Sequence, residues 1–410
     1  MKAWVRVNWP AVAGLVWGGL ILGIAIHAFI WPWVHSVYYD AYAPAARKLF
    51  AGQDLYEDAS PVTGYRYGPP FAVAVSPFAS LPDGFGDTAW KTFNCVFYAL
   101  ALGIAGKRLL PRSLSKKQFA ALFLLVVPLS LESMHNGQAT LILLGAILLG
   151  LTAAATEHWN VAALCLAMAT LIKGYPLALA LVLAVLYPRR FTVRYVAALG
   201  LGMALPLAVQ TPSQAAAQTV NWIRHLTMST GVTRGEVSRS FDSLFDVFGI
   251  GIGNHTYLVL EMLAGVAVLG LSLWQVRHST NPRVVLTRVY VLFAIWVVLF
   301  GPATESCTYV VAAPAIAWVL VEAFDRPARW STRLLLVASL LLMGPLVTDL
   351  PGHTIRMFAV AHGSQPIGAL LFLGCVLAQM VQEVHAPLRS SFSIRMAPCE
   401  RQTGTQALSP

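Results

Sequence analysis

The residues best placed for chemistry lie in the polar segment 38–70, which directly follows an apolar stretch of membrane length. Asp40 lies about seven residues beyond that stretch, near the mouth of a helical bundle rather than deep in lipid. A carboxylate there can act as a general base. It can equally cap the helix predicted for residues 41–50, and the residues alone favour that cap.

The same segment carries three further carboxylates and a cation between two tyrosines. Asp54 and the Glu57–Asp58 pair are interpreted as solvated loop charges, with Asp54 a second choice for binding an acceptor or a metal. Arg66 lies between Tyr65 and Tyr67. A guanidinium binds phosphate with its planar fork, and tyrosine rings stack on sugars. Tyrosine is also enriched at membrane interfaces, so both interpretations stay open.

A second cation, Lys173, lies between two apolar runs at a predicted helix break. An unpaired ammonium at membrane depth costs about 2.5–3.5 kcal/mol, so it needs an anion or must reach the headgroups. Gly174 and Pro176 open the backbone at this position. The pattern therefore favours a phosphate ligand over a side chain that snorkels to the surface.

Two more polar groups lie where apolar runs begin. Asn136 and Gln138 are predicted to start a helix, where Asn136 is as suited to capping as to binding sugar or phosphate. Glu305 follows a proline at another helix end. We interpret it as a cap or as the partner of a basic residue in preference to a second catalytic acid.

The composition defines the elements that position these groups. Hydrophobic residues make up 57% of the 410 residues, charged residues only 11%, and the mean hydropathy is +0.65. A soluble chain of this length would carry roughly 25% charge. Continuous Leu, Ala and Val runs predict helices and not the alternating strands of a barrel. The fold class is thus an all-α, polytopic transmembrane helical bundle.

Twelve apolar runs predict about 11–13 membrane segments in a single domain, residues 1–385, followed by a polar cytoplasmic tail, 386–410. The polar segments 32–87, 211–255 and 350–365 separate some of these runs on one side. The runs are 11–31, 88–106, 118–132, 138–154, 160–172, 175–187, 194–210, 256–276, 287–303, 307–325, 333–349 and 366–384.

The distribution of positive charge predicts the orientation. With the N-terminus inside, 19 of the 28 Lys and Arg residues fall on the cytoplasmic side, as the positive-inside rule expects. Both termini are then cytoplasmic, Asp40 is extracytoplasmic, and the chain belongs in the cell membrane. The net charge of +10 is explained by anionic headgroups, and no basic stripe suits nucleic acid.

Several motifs follow one another along the chain: Asp40, Tyr42, Gly52, Asp54 and Tyr56; Tyr67, Pro69 and Pro70; NGQ at 136–138; IKGYP at 172–176; SRSFDSLF at 238–245; and GPATESCTYVVAAPA at 301–315. Taken in this order, they resemble the motifs of glycosyltransferase family 87, the polyprenyl-phosphate-mannose-dependent mannosyltransferases. The resemblance covers roughly residues 30–320. The chain departs from the family pattern at Cys307 and Thr308, where the family often has His, and at Ser238, where it has Asn.

The resemblance implies a GT-C fold with the active site on the first extracytoplasmic loop. It implies inverting transfer of a sugar, most often mannose, from a polyprenyl-phosphate donor to a lipid or glycan acceptor. It also reverses the preference at Asp40 in favour of the general base. No cofactor is expected, although a divalent metal stays open. The candidate substrate-binding residues are Asp54, Tyr56, Arg66, Tyr67, Asn136, Gln138, Lys173 and Glu305.

Two other classes remain as alternatives. A lipid or solute transporter, or flippase, would explain the spans, but it predicts midplane charges in corresponding positions of two repeats, which the sequence does not show. A non-catalytic assembly subunit would explain Cys307 and Thr308 in place of the late His. An enzyme transfers sugar in detergent without a gradient, whereas a transporter moves its substrate across a membrane.

Overall fold

The computed structural model describes residues 7–57, 64–236, 239–301, 304–325 and 328–394. Side chains within 228–236 and 383–394 are not described. Asp58, Ser238 and the last part of the predicted tail, 395–410, lie outside the described residues.

The described residues form helices joined by short connections, with no strand among them. Short 3₁₀ or π turns occupy Tyr38–Tyr42, Pro188–Thr192, Leu205–Ala208, Ser306–Ala312 and Pro345–Val347. The α-helices are α1 (Trp9–Ile30), α2 (Ala43–Phe50), α3 (Pro69–Ala79), α4 (Asp83–Arg108), α5 (Lys116–Leu125), α6 (Val127–His135), α7 (Thr140–Ala155), α8 (Trp159–Ile172), α9 (Pro176–Leu186), α10 (Val193–Met203), α11 (Pro212–Glu236), α12 (Asp242–Val247), α13 (Asn254–His278), α14 (Pro282–Phe300), α15 (Ala313–Asp325), α16 (Trp330–Met343), α17 (His353–Ala361) and α18 (Ser364–Ile394).

Each of the twelve predicted apolar runs coincides with helical structure, which confirms the all-α, polytopic class. Among the described residues, six helices are long and apolar enough to cross a membrane, and a seventh span results if α5 and α6, bent by 48°, count as one. The total of 11–13 membrane segments stays a prediction. The six are α1, α13, α14, 306–325, 330–347 and 364–382.

Burial separates the helices that face lipid from those that fill the interior. Most side chains of α1 and α13 are at the surface, whereas α14 and 306–325 are largely buried. The shorter α7 is buried on nearly every side. Exposed apolar side chains on a membrane helix contact lipid tails, so the apolar surface of α1 and α13 is lipid-facing.

The helices α8 and α9 run antiparallel and meet at a tip. At one end, Lys173 Nζ donates to Thr140 Oγ1, at the start of α7, over 3.0 Å. At the other end, Arg190 contacts Glu157, just after α7, over 2.8 Å. The chain therefore runs through α8 from Glu157 to the neighbourhood of Thr140 and returns through α9 to Glu157. Lys173, between α8 and α9, lies at the turn of this helical hairpin.

The first segment after α1 packs tightly on the start of α4. Tyr38 is fully buried, and its hydroxyl lies against Gly86. A Cβ at position 86 would contact the Tyr38 hydroxyl and would lie 2.8 Å from the backbone oxygen of Phe78. Only glycine permits this close approach of the turn to α4.

We therefore expect Gly86→Ala to destabilise the protein by about 1–3 kcal/mol through overpacking. Gly103→Ala, in the same helix, is the matched control, because its nearest neighbour would be 3.7 Å away. Thermal unfolding in detergent measures both. Equal melting temperatures for the two variants would contradict the close packing at Gly86.

Candidate active site

Asp40 lies in the wide π turn Tyr38–Tyr42, between α1 and α2. Tyr38 and Tyr42 are fully buried on either side, and the Asp40 side chain is exposed. The N-cap of α2 is Tyr42, and no side chain caps either the turn or α2. The capping role expected from the sequence is therefore wrong, because the chain enters α2 from a continuous helical turn that needs no cap.

The Asp40 carboxylate makes no hydrogen bond or ion pair with any of the described residues. Its pKa is raised above the ordinary value by partial desolvation, and the charge of Lys91 opposes this rise. A carboxylate with a raised pKa and no partner can accept a proton from a bound molecule.

A buried hydroxyl network lies beside this turn. The hydroxyls of Tyr42 and Tyr67 are 2.7 Å apart. One of the two hydroxyls donates to the other, and the second donates to Gln138 Oε1, which lies 3.5 Å from the Tyr42 hydroxyl and 3.4 Å from that of Tyr67. The Tyr42 hydroxyl also accepts the backbone N–H of Ala139 over 3.3 Å. The structure thus brings together Tyr67 and Gln138, two of the predicted residues, through the unassigned Tyr42.

Lys173 extends this network. Its Nζ lies 5.9 Å from the centre of the Tyr67 ring and donates to the neutral hydroxyl of Thr140. No described carboxylate lies within ion-pair distance of it. Gly174, beside it, faces open space, since a Cβ there would meet no atom within 4 Å. An ammonium has three N–H donors. Among the described residues, Thr140 accepts from one of them, so Lys173 retains donors for a bound anion.

Arg66 and Glu305 form an ion pair at the same place. Arg66 Nη2 lies 2.7 Å from Glu305 Oε1, and each side chain is about a quarter exposed, 25% and 27%. Burial alone would raise the pKa of Glu305, but the charges of Lys173 and Arg66 lower it overall. The Glu305 carboxylate thus faces two cations, Arg66 and Lys173.

Glu305 also caps the 3₁₀ helix that follows it. Its side chain accepts the backbone N–H of Thr308, and the Thr308 hydroxyl accepts the backbone N–H of Glu305 over 3.3 Å. Its second oxygen accepts from Cys307 Sγ over 3.5 Å. Glu305 is therefore both a cap and the partner of a basic residue.

Lys173, Arg66 and Glu305 together are called the cationic cluster below. Asp54 and Tyr56 support the loop and do not line this cluster. The Asp54 carboxylate accepts the backbone N–H of Tyr56 over 3.0 Å and the side-chain amide of Asn221 over 2.7 Å. The Tyr56 hydroxyl donates to the backbone oxygen of Tyr67 over 2.8 Å. These bonds join the loop to α11 and fix the backbone that presents Arg66 and Tyr67.

Asn136 ends a helix, so the expected N-cap of the next one is wrong. It follows α6, and Gly137 adopts a left-handed conformation with φ +65°. The backbone N–H groups of Gly137 and Gln138 return to Met134 and Ser133, the pattern of a glycine-terminated helix. The backbone oxygen of Asn136 accepts the N–H of Val37 over 3.0 Å, which ties this corner to the Asp40 turn.

Sequence reasoning missed Asp87 and Lys91 in the first turns of α4. Both side chains are 0% exposed, and Lys91 Nζ lies 3.0 Å from Asp87 Oδ2. The signal was available, since opposite charges four residues apart face each other on a helix.

No three His, Cys, Asp or Glu side chains in the described ranges converge in a way that could hold a metal ion. The side chains around Lys173 are instead hydroxyls, an amide, the Arg66 guanidinium and the single carboxylate that pairs with it, Glu305. Such groups bind anions and polyols, the chemistry of a phosphate and a sugar.

The chain was compared with family models, curated proteins and solved structures. The model described as Glycosyltransferase family 87 matches residues 65–302, more than half of the chain. The structure of ArnT from Cupriavidus metallidurans bound to undecaprenyl phosphate is similar at 16% identity and a TM-score of 0.39, covering 96% of this chain and 83% of that one. No curated protein matches the chain in sequence.

Proposed function

We propose that this chain, which belongs to glycosyltransferase family 87, transfers a sugar from a polyprenyl-phosphate donor to a lipid or glycan acceptor. Family membership makes it a glycosyltransferase, and its apolar helices make it a multi-pass membrane protein. Mannose is the sugar that the family resemblance favours. The GT-C fold and an inverting course follow from the same resemblance.

The observation that carries the proposal is the environment of Lys173. This ammonium has no described ion-pair partner, lies at the tip of a helical hairpin, and donates to the neutral hydroxyl of Thr140. Arg66, which is paired with Glu305, is a second cation, and Lys173 and Arg66 both act on the Glu305 carboxylate. A donor phosphate supplies the anion that this arrangement needs.

The proposed reaction needs one base and one phosphate site. Asp40 removes the proton of the acceptor hydroxyl as its oxygen forms a bond to the anomeric carbon. The bond between that carbon and the phosphate oxygen breaks, and the polyprenyl phosphate leaves with the electron pair, held by Lys173. Attack from the face opposite the phosphate inverts the anomeric configuration. Paired carboxylates at glycosidase spacing are not required.

The proposed orientation places the site on the extracytoplasmic face, with both termini cytoplasmic. The 19 basic residues assigned inside support it. We expect a cysteine introduced at Ser113, between α4 and α5, to resist labelling by an impermeant thiol reagent in intact cells and to react in inside-out vesicles. Lys48→Cys, in α2, is the control of opposite sidedness. Labelling of position 113 from outside would refute the orientation.

We expect Lys173→Met to weaken binding of a polyprenyl-phosphate donor by roughly ten-fold or more, because a hydrogen bond to a charged group contributes about 1.5–3 kcal/mol. Lys107→Met is the matched control. Lys107 also lies over an aromatic ring, 5.8 Å from the centre of Phe119, but it is at the C-terminal end of α4. Binding to the purified variants measures the effect. Unchanged donor affinity with Lys173→Met would return this residue to a snorkelling role.

Asp40→Asn is expected to abolish turnover while donor binding persists, because the amide keeps the shape but cannot accept a proton. A positioned base contributes about 10²–10⁴-fold to the rate. Asp54→Asn should have a milder effect, since Asp54 only supports the loop. The assay is sugar transfer in detergent without a membrane gradient. Near-normal turnover by Asp40→Asn would remove the catalytic assignment.

The pH dependence follows from the pKa of Asp40, which lies above its ordinary value. The base is active only when deprotonated, so turnover of the unmodified enzyme should fall as the pH decreases through this raised pKa. The loss should therefore begin at a higher pH than for an ordinary aspartate.

A further inference from the structure

The Asp87–Lys91 pair is unusual because it is completely buried. No described group has hydrogen-bonding geometry to Lys91 Nζ, so charge holds the 3.0 Å contact with Asp87. Removing two charges from water costs about as much as their attraction returns, and apolar side chains of the same volume often stabilise a protein as well. Stability alone is therefore a poor explanation for this pair.

The pair is connected to the backbone of Asp40 through one serine. Ser36 Oγ donates to Asp87 Oδ1 over 2.7 Å and accepts the backbone N–H of Tyr39 over 3.2 Å. The backbone oxygen of Ser36 accepts the N–H of Asp40 over 3.0 Å. Three consecutive contacts thus run from the Lys91 ammonium to the turn that carries the proposed base.

The corner after α6 encloses the pair from the other side. A Cβ at Gly137 would lie 3.0 Å from Lys91 Cγ and 3.1 Å from its Cε, so this glycine packs against the lysine stem. The Trp90 indole donates to the backbone oxygen of Gly137 over 2.8 Å. The ring of Trp90 also packs against Tyr38 and Tyr42, on both sides of Asp40. The lysine therefore has little freedom to move.

The other charged and titratable groups near the turn act on the pair or on each other. His27 at the end of α1 interacts electrostatically with Asp87, and His135 at the end of α6 interacts with Lys91. The ring of His135 lies 4.8 Å from that of His27 and 5.5 Å from that of His35, measured between centres.

On α2, Arg47 is paired with Asp83. Among all these groups, Lys91 is the one that shifts the pKa of Asp40, and it lowers it.

We propose that Lys91, Asp87 and Ser36 form a positioning relay that fixes the Asp40 turn. The proposal rests on the proposed function, in which Asp40 is the base. The three residues touch no substrate. They act through Asp40: Ser36 by holding the backbone of the turn, and Lys91 by its charge, which Asp87 keeps in place.

The first test uses the double variant Asp87→Asn/Lys91→Met, which removes both charges at similar volume. We expect its melting temperature and donor affinity to match those of the unmodified protein, since no buried charge is left unpaired. The acid limb of its pH–rate profile should move to higher pH, because the charge that lowers the pKa of Asp40 is gone. At a pH on the acid limb, turnover of the double variant should be lower than that of the unmodified protein, and it should recover as the pH rises.

The second test uses Ser36→Ala, which breaks the relay but leaves the charge of Lys91. We expect kcat to fall about ten-fold, because a small misplacement of a reacting group is costly, with the donor KM and the acid limb unchanged. Ser130→Ala is the matched control. Ser130 is equally buried and donates to the backbone oxygen of Val126 over 2.7 Å, away from the relay.

The outcomes separate the relay from the proposed function. An unmodified pH profile and kcat in the double variant would overturn the relay. If the double variant does not fold, an unmodified kcat in Ser36→Ala would overturn it instead. Retained turnover in Asp40→Asn, whatever the relay variants do, would overturn the proposed function itself.

Discussion

The hydrogen bond between the Tyr42 and Tyr67 hydroxyls is the contact on which the site depends. It joins two residues that are 25 positions apart in the chain and places both hydroxyls beside Gln138 Oε1. Because Tyr42 is fully buried, its hydroxyl needs partners from the protein, and losing one would leave an unsatisfied polar group at a cost of about 1–3 kcal/mol. The bond therefore fixes the position of the turn that carries Asp40 relative to Tyr67 and Gln138.

Two kinds of charged group lie near the proposed site. Asp87 is paired with Lys91 and Arg66 with Glu305, whereas Lys173 has no described ion-pair partner and donates to a neutral hydroxyl. A paired charge holds structure in place, while a cation with free donors is available to bind an anion. The cationic cluster contains both kinds.

The helices could be predicted from the sequence because continuous apolar runs are local signals, and all twelve runs became helical. The break at Lys173 was predictable for the same reason, since Gly174 and Pro176 interrupt an apolar run. Asn136 was predicted to start the helix of the apolar run that follows it. It instead lies at the end of the preceding helix, α6, which Gly137 terminates in a left-handed conformation.

Contacts between distant residues could not be predicted in this way. Asp54 looked like a solvated charge until α11 placed Asn221 against it, 167 positions later in the chain. The depth of Asp87 and Lys91 likewise depends on Ser36 and Gly137 folding over them. Local patterns reveal which residue types are present, but they do not reveal which of them the fold will cover.

The Arg66–Glu305 pair joins residues 239 positions apart in the chain. During biosynthesis, Arg66 leaves the ribosome while Glu305 has not yet been made. At roughly 5–20 residues per second, the interval is on the order of ten to fifty seconds. Throughout that time the tyrosines of residues 42–67 can form their mutual contacts. The cationic cluster, however, still lacks the carboxylate of Glu305. The nascent protein therefore carries an incomplete site until most of the chain has been inserted.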